Sequence, residues 1–182
     1  MPSLADAAQS LLGLALSPEQ EAAFAVYARE LAAWNAHTNL TAITAPDEVR
    51  VRHFLDSLTL LAVAPLPSGA HVIDVGTGAG FPGLPLAIAR PDLRVTLIEA
   101  TGKKLAFCQH VAELLQLKNV SFVHARAEEA GHMAGLRESG DWVAARAVAR
   151  LPALLEYLLP LARIGGLAIA MKGTTAAAEA KD

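Results

Sequence analysis

A doubly wound, parallel α/β sheet preceded by a helical segment is what this sequence predicts, and three observations predict it. Short apolar runs alternate with helix-length stretches from about residue 71 onward. The first run, Val72-Ile73-Asp74-Val75, empties into Gly76-Thr77-Gly78-Ala79-Gly80-Phe81-Pro82-Gly83, a turn holding four glycines. Ahead of both, Pro65-Leu66-Pro67-Ser68-Gly69 is a cluster of chain breakers closing off a region of helical periodicity. Strand–helix units in series imply parallel strands joined by crossovers, with helices on both faces.

The N-terminal region, 1–65, reads as a helical subdomain. Ser17-Pro18-Glu19-Gln20 is a helix start, with Ser17 as cap, Pro18 in the first turn and Gln20 closing a capping box. Phe24, Tyr27, Leu31 and Trp34 follow at spacings of three and four, one apolar stripe that ends near Asn35. His37-Thr38-Asn39-Leu40-Thr41 is a polar loop. A second helix is predicted from Pro46-Asp47-Glu48 to about Val63, its apolar face including Val49, Phe54, Leu58 and Leu61. In 66–182, strands are predicted at His71–Val75, Arg94–Ile98, Val120–His124, Trp142–Ala145 and Leu167–Met171. Helices are predicted at Leu84–Ala89, Lys103–Leu117, Ala127–Met133 and Leu151–Leu161, and the Ala-rich tail from Thr174 carries no structural signal.

Composition bounds the function. At 53% hydrophobic residues the 182-residue chain has material for a sizeable core and is unlike disordered sequences. A formal net charge of −3 argues against a free-standing nucleic-acid binder held by bulk charge, though not against a local basic face. A single cysteine, Cys108, excludes an internal disulfide and a cysteine metal cluster, and it reads as a small buried hydrophobe. Six histidines show no metal-ligand spacing, so no metal is expected. There is no signal-peptide pattern and no apolar run near the ~18 residues that span a membrane, so the expected setting is cytoplasmic and no membrane contact is expected.

The glycine turn is the first candidate site. Glycine there permits positive φ and lets a ligand touch the main chain with no Cβ in the way. Asp74-x-Gly76-x-Gly78-x-Gly80 fits the acidic glycine loop of S-adenosylmethionine enzymes, while Gly78-Ala79-Gly80-Phe81-Pro82-Gly83 also fits the dinucleotide fingerprint. Glu99, ending the second strand, suits the hydroxyls of an adenosine ribose, which both cofactors carry; the alternative is a surface carboxylate paired with Lys103. Arg126-Ala127-Glu128 follows the third strand at the carboxyl edge of the sheet, either bracketing an adenine through main-chain groups or simply capping a helix. Arg146 follows the fourth strand beside the switch point and needs a partner, either a cofactor carboxylate or a structural acid such as Asp74 or Asp141. Arg150, four residues on, could reach a phosphate. His53 and Asp56, three apart on the second helix with Arg50 and Arg52 beside them, form either a polar patch over the crevice or a local ion-pair cluster on a solvated face.

Taken in order, Trp34-Asn35-x-x-x-Asn39-Leu40-Thr41, Arg52-His53-x-Leu55-Asp56-Ser57, Asp74-Val75-Gly76-Thr77-Gly78-Ala79-Gly80-Phe81-Pro82-Gly83, Arg146-Ala147 and Met171-Lys172-Gly173 make the match specific. The chain resembles the small-subunit ribosomal RNA guanine-N7 methyltransferases, the glucose-inhibited division protein B family, over roughly residues 20 to 173. The resemblance implies a Rossmann-like class I methyltransferase sheet, S-adenosylmethionine as methyl donor, and a guanine of small-subunit ribosomal RNA, within a ribosomal particle, as acceptor. It places donor contacts at Gly76, Phe81, Ala127, Glu128 and Arg146, with Glu99 where the family has an acid for the ribose; Asp74, Gly78 and Gly80 complete the expected cofactor site. Asn39, His53, Arg150 and Lys172 are candidates for holding the RNA or the base.

Guanine N7 has a free lone pair at neutral pH, so placement matters more than acid–base groups, and no nucleophile–base pair is expected. N7 lies on the major-groove edge, so the target base should be unpaired or splayed out. Sheets of this kind end in two further strands forming a hairpin, and only five strands are counted here; the natural protein is therefore expected to continue past Asp182. Two other readings compete. A nicotinamide-dependent oxidoreductase would use the same glycines and Glu99 but lacks a visible hydride site, and a catalytically idle RNA-binding or assembly factor would keep the fold without the chemistry.

Overall fold

A computed structural model describes residues 2–146, 148–173 and 176–179; Ala147, quoted in the motifs above, lies outside them, as do Thr174 and Thr175. Five parallel strands form one sheet in the order β3-β2-β1-β4-β5. They are β1 (His71–Val75), β2 (Arg94–Glu99), β3 (Val120–His124), β4 (Gly140–Arg146) and β5 (Ala162–Met171). The chain winds outward from β1 through β2 to β3, then returns to the other side of β1 for β4. That reversal makes a crevice at the carboxyl ends of β1 and β4, the place where open α/β sheets bind ligands.

The helices are α1 (Leu4–Leu12), α2 (Pro18–Thr38), α3 (46–62), α4 (Gly83–Ala89), α5 (Gly102–Leu114), α6 (Ala127–Ala130), α7 (Leu151–Leu158) and α8 (Ala176–Glu179). The capping box of α2 forms as its sequence predicts: Ser17 Oγ accepts from Gln20 N at 3.3 Å and Gln20 Oε1 accepts from Ser17 N at 2.8 Å. The same glutamine donates from Nε2 to the carbonyls of Ile88 and Ala89 at 2.9 and 3.0 Å, tying the start of α2 to the end of α4. Phe24, Tyr27 and Leu31 of the predicted stripe are buried, joined in one core by Phe54, Leu58, Phe81, Leu84 and Phe107. A second cluster on other sheet positions unites Ile73, Val75, Ile98 and Val143 with Leu154 and Leu158 of α7.

Several boundaries differ from the sequence reading. α2 continues through Thr38, three residues beyond Asn35, and ends on Asn39, which takes the left-handed conformation at φ 50°. α3 is not uniform: it is α-helical over Pro46–Val49, widens to a π-turn over Arg50–Leu55, and closes through Asp56–Leu58 into a 3-10 turn at Thr59–Ala62. The five-residue step from Val49 to Phe54, both buried, spans that turn and is its one mark in the apolar stripe. α5, α6 and α7 stop at Leu114, Ala130 and Leu158, short of the predicted ends. β5 starts at Ala162 rather than Leu167: Ala162 pairs with Gly140, the ladder resumes at Trp142 and Leu167, and the residues between, with Gly165 at φ 79°, form a bulge inside the strand. The tail read as unstructured contains α8. Among the described residues β3 and β5 are the edge strands, and no helix is long and apolar enough to cross a membrane.

Candidate functional site

The glycine turn leaves β1 and is pinned from every side. Gly76 N and Thr77 N both donate to the Ile98 carbonyl of β2, at 2.8 and 3.1 Å. Gly78 N donates to Glu99 Oε2 at 2.9 Å, and Thr101 N donates to the other oxygen of Glu99 at 2.8 Å. Below the turn, Asp74 Oδ2 accepts from Thr77 Oγ1 at 2.6 Å and from Gly83 N at 2.8 Å. Burial raises the Asp74 carboxyl to about 6, against the pull of those two bonds and of the Arg146 charge. The Tyr27 hydroxyl of α2 donates to the carbonyl of Ala79. At Gly78, φ is 59° and an added Cβ would meet nothing nearer than the Gly76 carbonyl at 4.0 Å, so its absence leaves open space above the backbone.

Two cavities meet over this turn. The smaller, about 350 Å³, has Glu99, Ala127 and Glu128 among its walls; the larger, about 740 Å³, has Thr41, His53, Asp56, Phe81 and Lys172. Gly76, Lys104 and Arg146 line both. At α6 the helix cap is made by Glu129, whose carboxylate accepts from Arg126 N at 3.0 Å, which leaves Glu128 for the cavity wall.

Arg146, at the end of β4, organises the larger cavity. Its Nη1 donates to the Arg52 carbonyl and to Asp56 Oδ2, each at 3.1 Å, and its Nη2 donates to His53 Nδ1 at 3.0 Å. Its guanidinium carbon stands 4.9 Å from the centre of the Phe81 ring. The His53 ring stacks on Phe81 at 4.4 Å between centroids, and Tyr27 stacks on it at 5.4 Å. Burial and the neighbouring Arg146 charge lower His53 to about 4, so it is neutral near pH 7. The partner of Arg146 is thus Asp56, not Asp74 or Asp141; Asp141 is taken by Arg163 at 2.6 Å.

Of the residues singled out from sequence, Gly76, Gly78, Phe81, Glu99, Ala127, Glu128, Arg146, His53 and Lys172 line one cavity or the other. Asp74 and Gly80 line neither; they hold the turn from beneath, Gly80 packed so that a Cβ would fall 2.5 Å from Leu84 Cδ1 and 2.6 Å from the Tyr27 oxygen. Asn39 and Arg150 line neither as well, sitting at the C-cap of α2 and the N-cap of α7. Glu99 is buried and tethers the turn, rather than sitting on the surface with Lys103. Lys172 forms an ion pair with Glu179 of α8 at 2.8 Å and donates to the Ala149 carbonyl. Sequence reasoning missed Lys104, which only the start of α5 brings to both cavities. It also missed Asn35, whose Oδ1 accepts from Leu40 N at 2.7 Å and Thr41 N at 2.9 Å while its Nδ2 donates to the Thr41 carbonyl at 2.8 Å. Among the described residues no group of His, Cys, Asp or Glu could hold a metal ion.

The sheet order, the glycine turn and the crevice at its switch point define a Rossmann-like class I methyltransferase fold. Solved structures agree on that fold: precorrin-6y C5,15-methyltransferase from Geobacter metallireducens is similar with a TM-score of 0.55 and 15% identity, covering 69% of this chain and 66% of that one. TYW2 of M. jannaschii, solved in complex with AdoMet, is similar with a TM-score of 0.52 and 18% identity, covering 61% of this chain and 48% of that one. The model of one family, rRNA small subunit methyltransferase G, matches residues 20–182, and the chain belongs to that family. Ribosomal RNA small subunit methyltransferase G of Lactobacillus delbrueckii subsp. bulgaricus is 49% identical over 169 residues, covering 92% of this chain and 71% of the relative. The protein of the same name from Roseiflexus castenholzii is 53% identical over 163 residues, covering 89% and 69%.

Proposed function

We propose that this protein transfers a methyl group from S-adenosylmethionine to N7 of a guanine in small-subunit ribosomal RNA. The observation that carries the reading is the pair of cavities meeting at Gly76 and Arg146 over the carboxyl ends of β1 and β4, in a chain of the rRNA small subunit methyltransferase G family. The residues present fit such a donor: a buried acid stands at one end of the crevice, bare glycine backbone in the middle, and a fixed guanidinium at the other.

Glu99, Ala127 and Glu128 would hold the nucleoside, with Glu99 accepting from ribose hydroxyls on lone pairs that its two backbone donors leave. Arg146, held rigid by Asp56, His53 and the Arg52 carbonyl, would meet the donor's carboxylate. S-adenosylmethionine supplies an electrophilic methyl carbon on a positively charged sulfur. Guanine N7 offers its lone pair without first losing a proton, so what the protein provides is alignment in a confined cavity. His53, neutral and hydrogen-bonded through both ring nitrogens, is a positioning group here and not a base. Lys104 brings positive charge to the wall that RNA phosphates would approach, whereas the charge of Lys172 is met by Glu179. A net charge of −3 suits a target presented by an assembled ribosomal particle in the cytoplasm, where few phosphate contacts are needed.

The test is transfer of labelled methyl to small ribosomal subunits lacking the modification, with the product nucleoside identified as 7-methylguanosine. Titration with S-adenosylhomocysteine and with NADH accompanies it. Binding of S-adenosylhomocysteine with transfer to guanine is expected. Binding of NADH instead, or donor binding with no transfer to any small-subunit RNA, would overturn the reading.

A further inference from the structure

The Thr41 hydroxyl is held in an unusual state. His53 Nδ1 accepts from Arg146 Nη2, and a guanidinium is always the donor. The ring proton of neutral His53 therefore sits on Nε2, which is 2.8 Å from Thr41 Oγ1 and donates to it. Ile43 N donates to the same oxygen at 3.1 Å. Both lone pairs of the hydroxyl are thereby taken, and its own proton has no acceptor among the described residues. Thr41 lines the larger cavity beside His53 and Phe81, and Asn35 fixes its backbone with hydrogen bonds at 2.8 and 2.9 Å. The site thus holds a hydroxyl that can donate to a ligand and cannot accept from one.

We propose that Thr41 donates this hydrogen bond to O6 of the target guanine and selects guanine over adenine; the inference rests on the guanine-N7 reading above. The major-groove edge of guanine presents two acceptors, N7 and O6. N7 is committed to the incoming carbon, so O6 is the acceptor left for the protein. Adenine presents an amino group where guanine has O6. An ordinary threonine hydroxyl would turn and accept from that amino group. Here the Ile43 amide and the His53 ring occupy the lone pairs it would need, so adenine leaves two donors facing each other. A site built to hydrogen-bond a particular group rejects the analogue lacking it far more strongly than an apolar pocket does.

The experiment uses the full chain with S-adenosylmethionine and unmodified small-subunit RNA substrates, in wild type, Thr41→Val and Thr41→Ser. Thr41→Val is expected to lower kcat/KM for guanine about tenfold, Thr41→Ser to stay within about threefold of wild type, and S-adenosylhomocysteine affinity to be unchanged in both. The decisive readout replaces the methylated guanine by 2-aminopurine, which keeps N7 and lacks O6. Wild type should lose about tenfold on that substrate, and Thr41→Val should lose nothing further. Additive losses, a Thr41→Val enzyme as fast as wild type, or a Thr41→Ser enzyme as slow as Thr41→Val would overturn the proposal while leaving methyl transfer intact. A wild-type protein that methylates no guanine would overturn both.

Discussion

Replacing Asp74 by asparagine separates the charge of this carboxyl from its hydrogen bonds. One oxygen accepts from Thr77 Oγ1 and Gly83 N, and the other, Oδ1, is buried with no partner. Burial lifts the native pKa to about 6 from the ordinary 3.8. A carboxyl with a raised native value holds its proton more tightly in the folded chain than in the unfolded one. The stability linked to that proton is fully present below pH 3.8 and is lost as pH rises through about 6. The span from 3.8 to about 6 is worth about 3 kcal/mol, of which about 1.4 kcal/mol falls between pH 5 and pH 8. Asparagine keeps a carbonyl for both bonds and does not titrate. Urea unfolding of wild type and Asp74→Asn from pH 5 to pH 8 gives a difference curve in which all other carboxylates cancel. The variant should gain on wild type by about 1.4 kcal/mol across that range. A difference that stays flat would refute the argument, and one of opposite slope would mean that the loop's donors, not burial, govern this acid.

Tyr27→Phe removes the donor to the Ala79 carbonyl and should lower stability by about 1 to 3 kcal/mol, read by the same unfolding experiment, with weaker S-adenosylhomocysteine binding by calorimetry. Gly83→Ala would place a Cβ 2.2 Å from Leu97 Cδ2 and 2.9 Å from Asp74 Oδ2, so a loss of about 3 kcal/mol or more is expected; a wild-type melting temperature would contradict the packing described. Arg146→Lys keeps the charge but cannot serve Asp56, His53 and the Arg52 carbonyl together. It should weaken S-adenosylhomocysteine binding about tenfold or more, whereas wild-type affinity would show that charge alone suffices.

Much of the fold was legible because period and punctuation agree: the β1 run, its glycine turn and the later strand–helix alternation all point to a parallel sheet, and the capping box at Ser17 marks the start of α2 to the residue. The misread boundaries have particular causes. Gly165-Gly166 signals a turn locally, and the chain does bulge there, but Ala162 pairs with Gly140 ahead of the bulge and so extends the strand back past it. The π-turn at Arg50–Leu55 leaves only a five-residue step in the apolar stripe, from Val49 to Phe54, both buried, and one such step is easily read as ordinary helical spacing. In the site, Gly76, Glu99 and Arg146 could be placed from their positions at strand ends. Their partners could not. That Arg146 meets Asp56 rather than Asp74 depends on how α3 lies over the sheet, and that Asp74 faces down into the turn depends on the close approach of Gly83. Tyr27 read correctly as a core residue, but its hydroxyl also braces Ala79, a contact across the interior that no local pattern encodes.

The stacking of Phe81 with Tyr27 and His53 has a consequence for how such proteins diverge or are recombined. Rings contributed by two helices upstream of the sheet set the posture of the ligand-gripping turn, so those helices are not an interchangeable cap. A chimera grafting them onto a different sheet, or this sheet beneath foreign helices, would inherit half of a recognition surface and misplace the other half. Drift in the upstream helices is therefore tolerable on their wet side and must be matched by the turn on their dry side.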